Sequence, residues 1–287
     1  MATARQVKQR IGTAKNISKI TKAMEMVSAS KMKRAQDQTL AARPYAQALA
    51  HSLQTLAKEA TPDLHPLLSV HEEGTDVLII VSTDRGLCGS LNQNMFKKAL
   101  EWYKQHPQGK FIVVGKKAVA FAQFIGLEVI AQFTNIPDRV SVGDVLPISS
   151  LIIDQFTGHH YKSVSIVYMD FINTLSQKVH VQQVLPIKHL NNDVILVDTE
   201  HSEYVFEPSP SEILRELLPY YVENSIYQSF LEGKASEHSA RMVAMKNASE
   251  NAKDLVKELQ LLFNKSRQES ITRELLEITT ATMTLEG

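Results

Sequence analysis

The sequence predicts a mixed α/β fold: a long antiparallel two-helix coiled coil formed by the N- and C-terminal helices, plus a central α/β domain. Two observations predict it. Both chain ends are long helix-favouring stretches with apolar residues at heptad spacing, and the middle alternates strand-like apolar runs with helical ones. We therefore expect an N-terminal coiled-coil helix over residues 1–60, a central domain over 75–190 and a C-terminal coiled-coil helix over 208–287.

The N-terminal stretch, residues 3–60, contains one proline, Pro44, and one glycine, Gly12. Pro44 is expected to bend or break the helix, because proline removes a backbone donor. At 1.5 Å per residue the helix would be roughly 85 Å long. No compact domain covers such a length, so the helix needs a partner helix. Its apolar residues recur at spacings of three and four: Val7, Ile11, Ala14, Ile17, Ile20, Met24 and Val27, then Ala46, Leu49, Leu53, Leu56 and Ala60.

The partner helix is expected over residues 211–286, with Ser211 as its N-cap and a length of roughly 114 Å. Small residues crowd the middle of both helices, which would let them approach closely. Because the middle of the chain must return it between the two helices, the pair should be antiparallel. The heptad positions of this helix are Leu255, Leu259, Leu262, Ile271, Leu275, Ile278, Thr282 and Leu285.

The central region begins with residues 76–82, a continuous β-branched apolar run typical of a strand buried on both faces. The alternation that follows predicts a partly parallel, Rossmann-like sheet. Residues 61–75 and 189–207 are predicted linkers. The remaining strands are predicted at 110–114, 128–133, 163–168 and 178–185, and the helices at 92–106, 116–124 and 145–156.

The composition excludes several classes of protein. Of 287 residues, 44% are hydrophobic and the formal net charge is zero, which is unlike a disordered chain. The single cysteine, Cys88, excludes a disulfide framework. No run of about 18 apolar residues occurs, so no direct bilayer insertion is expected. The N-terminus lacks the apolar core of a signal peptide, although its basic, acid-poor character also fits a mitochondrial transit peptide.

The neutral net charge conceals a basic N-terminal arm. Residues 1–43 carry ten lysines and arginines against two acids, so the rest of the chain is net acidic. Such an arm indicates an acidic partner: nucleic acid, anionic lipid or the carboxylates of another protein. The alternative is a helix face that is simply solvated.

The loop after the first strand is where an α/β protein would bind a nucleotide. It reads STDRGLCGSLN over residues 82–92. Its glycines have G-x-x-G spacing, whereas a dinucleotide site needs G-x-G-x-x-G and a P-loop needs a lysine after its last glycine. Asp84 would also repel phosphate. The sequence therefore favours a structural or contact loop over a nucleotide site, and no cofactor is expected.

No reaction centre is visible in the sequence. To act as a nucleophile, Cys88 would need a nearby histidine base, and the ten histidines lie mostly in linkers or polar stretches. His159-His160 lacks the i,i+4 spacing of a helical metal site, and Glu72-Glu73 is interpreted as a solvated pair. We therefore expect no catalytic residue and no metal ligand.

Four segments of the chain resemble the gamma subunits of bacterial F-type ATP synthases, and the resemblance extends over essentially the whole chain. They are residues 20–32 (ITKAMEMVSASKM), 82–89 (STDRGLCG), 239–248 (SARMVAMKNA) and 258–274 (ELQLLFNKSRQESITRE). The resemblance implies a non-catalytic central rotor shaft. Such a shaft couples proton flow through the membrane sector to ATP synthesis or hydrolysis at the beta-subunit catalytic sites.

The resemblance also implies partners and a location. The paired helices would enter a ring of three alpha and three beta subunits, and the α/β domain would lie outside it. The epsilon subunit and the membrane rotor ring of c subunits are the other partners, and nucleic acid is not one. The expected location is peripheral, on the cytoplasmic face of the bacterial inner membrane.

Site residues are carried over position by position. Asp84, Arg85 and Cys88 lie where the central domain would meet the bottom of the ring, and Glu207 matches a carboxylate near the start of the C-terminal helix. Methionines flanked by basic residues would either pack inward or form an outward surface that slides past partners. The residues that match beta-contacting positions of the family, facing its lever and catch loops, are Lys22, Met24, Arg241, Arg267, Gln268 and Thr272.

One position departs from the family pattern. The family has Gly-Ala near the C-terminal tip, where this chain has Ala281-Thr282. Alanine in place of glycine should stabilise the helix there by about 0.5–1 kcal/mol. Two alternatives from other classes stay open: a nucleotide-dependent enzyme built on residues 75–190, and a nucleic-acid-binding coil that uses the basic arm.

Overall fold

The structure is a computed structural model that describes residues 4–59, 65–187 and 207–285. It divides into two compact units, Met1–Ser28 with Arg241–Gly287, and Ala29–Ala240. The long terminal helices and the central sheet confirm the predicted fold class. The predicted domain boundaries stay a prediction, and the predicted linker 189–207 lies, except for its last residue, outside the described residues.

The two long helices are α1 (Ala4–Glu59) and α5 (Pro210–Leu285). α1 passes through Pro44 as one helix, so the expected break does not occur there. The hydroxyl oxygen of Ser209 accepts a hydrogen bond from the amide of Glu212 at 3.3 Å. The N-cap of α5 is therefore Ser209 and not Ser211, and Pro210 occupies the first helical position, where its missing N–H costs nothing.

In the first unit, residues from the two chain ends pair side by side. The Ser18 hydroxyl donates to the Ser249 carbonyl oxygen at 3.4 Å, and the Ser249 hydroxyl donates to the Ser18 carbonyl oxygen at 3.3 Å. Nearer the N-terminus, Gln6 lines one groove together with Leu255 and Leu259. Residues nearer the N-terminus of α1 therefore lie beside residues nearer the C-terminus of α5, so the two helices are antiparallel, as predicted.

The contact line of this pair differs from the predicted apolar stripe. The part of the stripe from Val7 to Ala14 is buried, as expected. Further along α1, however, Ile20 and Val27 are 60% and 55% exposed, whereas Ser28 is 4% exposed. Small side chains let helix backbones approach closely, so serines take the contact line here and the large apolar side chains lie outside it.

The second unit contains a five-stranded sheet with the strand order β3-β2-β1-β4-β5. The first four strands run parallel, and β5 pairs antiparallel with β4. Parallel neighbours need crossover connections, which α2, α3 and α4 provide. The elements are β1 (Thr75–Val81), α2 (Leu91–Gln105), β2 (Lys110–Val114), α3 (Lys116–Ile125), β3 (Val129–Phe133), α4 (Val142–Thr157), β4 (Tyr161–Phe171) and β5 (Gln177–Leu185).

Alternate residues of β1 face two different hydrophobic clusters. Leu78 packs with residues of α2 and α3 on one face of the sheet. Ile79 packs on the other face with residues of α4, α1 and α5, among them Leu53 and Phe230. Full burial of one such side chain contributes roughly 1.5–3 kcal/mol, so burial against the sheet holds the inner parts of both long helices.

The segment before β1 is only partly the predicted linker. Pro66–Leu68 forms a 3₁₀ helix, and within it Leu67 is 1% exposed. His71 is also buried, and its Nδ1 lies 2.9 Å from the Tyr161 carbonyl oxygen. This segment therefore packs into the core of the second unit.

The small residues of α5 contact the sheet, which the sequence did not predict. The Ser236 hydroxyl donates to the Met169 carbonyl oxygen at 3.0 Å, and the Ser239 hydroxyl donates to the Thr174 carbonyl oxygen at 2.7 Å. Their small size brings α5 close to β4 and to the β4–β5 turn. Among the described residues, no helix combines the length and apolar composition needed to cross a membrane.

Candidate partner-binding surfaces

The first candidate surface lies on α1, around Lys22 and Met24. Lys22 is exposed, and its Nζ lies 2.9 and 3.0 Å from the two carboxylate oxygens of Glu25. Met24 is half-buried. An exposed ion pair of this kind is worth less than about 1 kcal/mol. A partner carboxylate can therefore compete with Glu25 for Lys22.

Exposed apolar side chains flank this ion pair. Ile20, Met26 and Val27 are 60%, 59% and 55% exposed. Large apolar side chains grouped on one stretch of helix are typical of a surface that a partner covers. The methionines divide between the two predicted roles, because Met26 faces outward whereas Met245 on α5 is 5% exposed.

The predicted contact residues on α5 fall into two groups. Arg241 is 7% exposed, so the chain itself already covers most of its side chain. Arg267, Gln268 and Thr272 are exposed, and they lie beyond Leu259. Only the second group is freely accessible in this chain.

The C-terminal turns of α5 carry exposed apolar side chains. Leu262, Leu275 and Ile278 occupy predicted heptad positions but are 48%, 58% and 64% exposed in this chain. The described part of α1 begins at Ala4, and the groove that its first turns line reaches Leu259 on α5. These turns therefore present an apolar stripe to a partner.

The second candidate surface is the loop of residues 82–90, at the carboxyl end of β1. Asp84 Oδ1 accepts hydrogen bonds from the amides of Lys116 at 3.0 Å and Asn135 at 3.3 Å. Lys116 is the first residue of α3, and a helix N-terminus favours a carboxylate. Asp84 therefore ties together the loops that follow β1, β2 and β3.

The same loop buries Cys88 and exposes two neighbours. Cys88 is 3% exposed, and its Sγ accepts a hydrogen bond from the Asn92 side-chain amide at 3.4 Å. Leu87, with a φ of 63°, is 60% exposed, and Arg85 is also exposed. A thiol buried in this way is poorly placed for nucleophilic attack, so Cys88 supports the shape of the loop, while Arg85 and Leu87 face outward.

The loop leaves little room for a nucleotide. The cavity at the carboxyl end of β1, lined in part by Ser82, Asp84 and Lys234, has a volume of about 20 Å³. That suffices for one water, whereas ligand pockets occupy about 300–1,000 Å³. Asp84 also takes the Lys116 amide that a phosphate would use. The geometry favours the structural or contact loop.

Two further predicted features can be located. Glu207 is exposed just before the start of α5. Over residues 4–59, 65–187 and 207–285, no group of three or more His, Cys, Asp or Glu side chains is arranged to hold a metal ion.

Sequence reasoning missed a carboxyl pair, the buried Glu232 and the partly exposed Asp170. Glu232 is 9% exposed, hydrogen bonds the Asp170 carboxyl group and accepts the Gln228 side-chain amide at 2.9 Å. Burial, followed by the Asp170 hydrogen bond, raises the pKa of Glu232 to about 7. The available signal was one glutamate within the small-residue stretch of α5.

The terminal helices pair with each other and expose apolar and basic stretches, an arrangement typical of coiled-coil subunits that bind other proteins. A family model described as ATP synthase matches residues 3–285. The chain belongs to the ATP synthase gamma chain family. It is 42% identical to the ATP synthase gamma chain of Glaesserella parasuis and 37% identical to that of Legionella pneumophila, in each case over 97% of this chain and 98% of the relative.

Solved structures agree on the fold. A chain in the central stalk and c-ring structure of the Tetrahymena thermophila mitochondrial ATP synthase is 26% identical, with a TM-score of 0.60 over 80% of this chain and 99% of that one. A chain in the rotor structure of the Euglena gracilis mitochondrial ATP synthase has a TM-score of 0.68 over 93% of this chain and 98% of that one. At 20% identity the second likeness concerns the fold alone.

Proposed function

We propose that this chain is the non-catalytic rotor shaft of a proton-translocating ATP synthase, which couples proton flow to ATP synthesis or hydrolysis at beta-subunit sites. Its partners are three alpha and three beta subunits, the epsilon subunit and the membrane ring of c subunits. It lies peripherally on the cytoplasmic face of the bacterial inner membrane. The observation that carries the proposal is the antiparallel pairing of the chain ends at Ser18 and Ser249, in a chain of this family.

Coupling follows from contacts that differ around the paired helices. α1 exposes Ile20 and Met26 beside the Lys22 ammonium group, whereas the last turns of α5 expose a mixture of Arg267 and apolar side chains such as Leu275. A partner loop therefore contacts a different set of side chains at each rotational angle of the shaft. Each orientation then stabilises one state of the facing catalytic site over the others, which is the requirement for coupling.

The predicted contact residues have separate roles in this proposal. Lys22 exchanges Glu25 for the acidic lever loop of beta, and Met24 lies beside it on the same helix. Arg267, Gln268 and Thr272 contact the beta loops further along the shaft, whereas Arg241, which is 7% exposed, presents only a small part of its side chain to them. Arg85 makes the contact at the bottom of the ring with Leu87, while Asp84 and Cys88 hold the loop. Glu207 contacts the head near the start of α5.

Reconstitution with purified alpha and beta subunits tests the proposal. The chain alone should neither bind ATP tightly nor hydrolyse it, and adding it to alpha and beta should raise their ATP hydrolysis. Hydrolysis that stays at the level of alpha and beta alone would contradict the proposal. Saturable ATP or NAD binding by the chain would favour a nucleotide-dependent enzyme, and DNA affinity that falls steeply with salt would favour a nucleic-acid-binding coil.

A further inference from the structure

We infer that the loop between β3 and α4, residues 134–141, is a bridge that locks α1 to α5 within the second unit, with Asp138 as its main positioning residue. We call these residues the bridge loop. The inference rests on the proposed function, because a rotor must carry torque without letting its two long helices slip past each other.

Asp138 contacts both long helices through separate oxygen atoms. Its Oδ2 accepts a hydrogen bond from Nζ of Lys31 on α1 at 2.6 Å, and its Oδ1 lies 3.4 Å from Nε2 of His238 on α5, a contact that becomes an ion pair when the imidazole is protonated. Partial burial raises the pKa of Asp138, but the Lys31 hydrogen bond and the charges of His238, Lys31 and Lys234 outweigh burial and lower that pKa. The side chain is thus a carboxylate at neutral pH, and it joins two helices that are distant in sequence.

The carbonyl oxygen of Val140 repeats this arrangement. It accepts hydrogen bonds from the Gln38 side-chain amide on α1 and from the Tyr227 hydroxyl on α5, the latter at 3.4 Å. The Gln38 amide also donates to the Tyr227 hydroxyl at 3.1 Å. Val140 is 1% exposed and belongs to the hydrophobic cluster that contains Phe230. A second acceptor of the bridge loop therefore binds one donor from each helix.

A third contact lies at the start of the bridge loop. Lys234 on α5 donates from Nζ to the Ile136 carbonyl oxygen at 3.0 Å, and its side chain is 13% exposed. Acceptors at residues 136, 138 and 140 thus face donors of the long helices. A loop that only connected β3 to α4 would need none of these donors. Their placement explains how a twist applied to α5 is passed on to α1 at this level.

A matched pair of substitutions separates bridging from the loss of an ion pair. Asp138→Ala removes the carboxylate that contacts both helices and leaves the Val140 contacts in place. Asp37→Ala is the control, because Asp37 pairs with Lys33 at 2.8 Å within α1 alone, and the two aspartate side chains are 50% and 56% exposed. Asp138→Glu keeps the carboxylate and should restore part of any loss.

The first readout is coupling in the reconstituted complex. Asp138→Ala should lower the number of protons pumped per ATP hydrolysed by about two-fold or more, because contacts that bias one rotor state over another are lost. The hydrolysis rate should stay near the parental value, and Asp37→Ala should pump like the parent. If Asp138→Ala does not assemble, Asp138→Asn gives the same comparison, since it keeps the side-chain volume and removes the charge.

Hydrogen exchange on the full chain is the second readout and needs no partner. Amides of the bridge loop should exchange about five-fold faster or more in Asp138→Ala and at the parental rate in Asp37→Ala. The inference is overturned if bridge-loop amides exchange at equal rates in Asp138→Ala and Asp37→Ala, or if these two variants pump equal numbers of protons per ATP. A parental chain that supports no pumping refutes the proposed function instead, and the exchange experiment then still decides whether the bridge exists.

Discussion

Replacing Glu232 by glutamine should flatten the pH dependence of the stability of this chain. Glu232 on α5 and Asp170 at the end of β4 hydrogen bond each other through their carboxyl groups. The Asp170 carboxyl group favours the protonated form of Glu232, because it hydrogen bonds the neutral form and a like charge beside it repels the ionised form. Around Glu232, Gln228 donates to its carboxyl group, Arg43 is the nearby opposite charge and Tyr168 lies close on β4.

The sign and size of the effect follow from the two pKa values of Glu232. Burial and Asp170 raise its pKa from 4.5 to about 7 on folding, so the folded chain binds more protons than the unfolded chain between these values. The stabilising contribution is therefore full below pH 4.5 and is lost as the pH rises through about 7. The difference corresponds to ~3 kcal/mol. Since Asp170 is half-exposed, solvent screening reduces the expected value to about 1–2 kcal/mol.

Urea unfolding of the full chain at about pH 5 and about pH 8 measures this effect. The amide of glutamine donates to Asp170 at every pH, so Glu232→Gln should lose about 1–2 kcal/mol less stability than the parent between the two conditions. Asp170→Asn should act in the same direction from the other side of the pair. Parallel pH profiles for the parent and both variants would refute the raised pKa of Glu232.

Three further predictions concern the shaft, the sheet and a turn. Met24→Lys should lower the number of protons pumped per ATP without blocking assembly, because it adds a cation beside the acidic lever. Equal pumping per ATP in Met24→Lys and the parent would contradict the proposed contact. Phe230→Ala should lower the free energy of unfolding in urea by about 3–5 kcal/mol, since Phe230 is 2% exposed where α5 meets the sheet. A decrease below about 1 kcal/mol would mean that the burial of Phe230 does not hold α5 against the sheet. Gly115→Ala should destabilise the chain by more than Gly89→Ala in the same assay. Both glycines have positive φ, but a Cβ at Gly115 would collide with the Ser82 backbone oxygen, whereas one at Gly89 would meet nothing within 4 Å. Equal losses of stability in the two variants would count against this packing.

The strands of the sheet were predicted closely from the sequence, because short continuous runs of β-branched apolar residues usually form buried strands. The strand predicted at 110–114 is β2 residue for residue, and the run 76–82 differs from β1 by one residue at each end. The contact line of the coil was harder to predict. Periodicity shows which positions are apolar, yet Ser28 is buried and Val27 is exposed. Where two helix backbones lie close together, only small side chains fit between them, and the apolar pattern does not reveal this.

The candidate surfaces were predictable only where they depend on local sequence. The loop around Cys88 was located, whereas the role of Asp84 as a tie between three loops depends on amides at Lys116 and Asn135, far along the chain. The carboxyl pair and the bridge loop likewise join residues from distant elements. No local pattern marks such pairs, since each partner alone looks like an ordinary polar residue.

Rotation of the chain within an immobilised ring of alpha and beta subunits tests the central claim most directly. A bead can be attached through a cysteine at exposed Gln108, because the native Cys88 is buried. On addition of ATP, we expect the bead to turn continuously in one direction. A bead that stays still while the same ring hydrolyses ATP at its full rate would contradict the account.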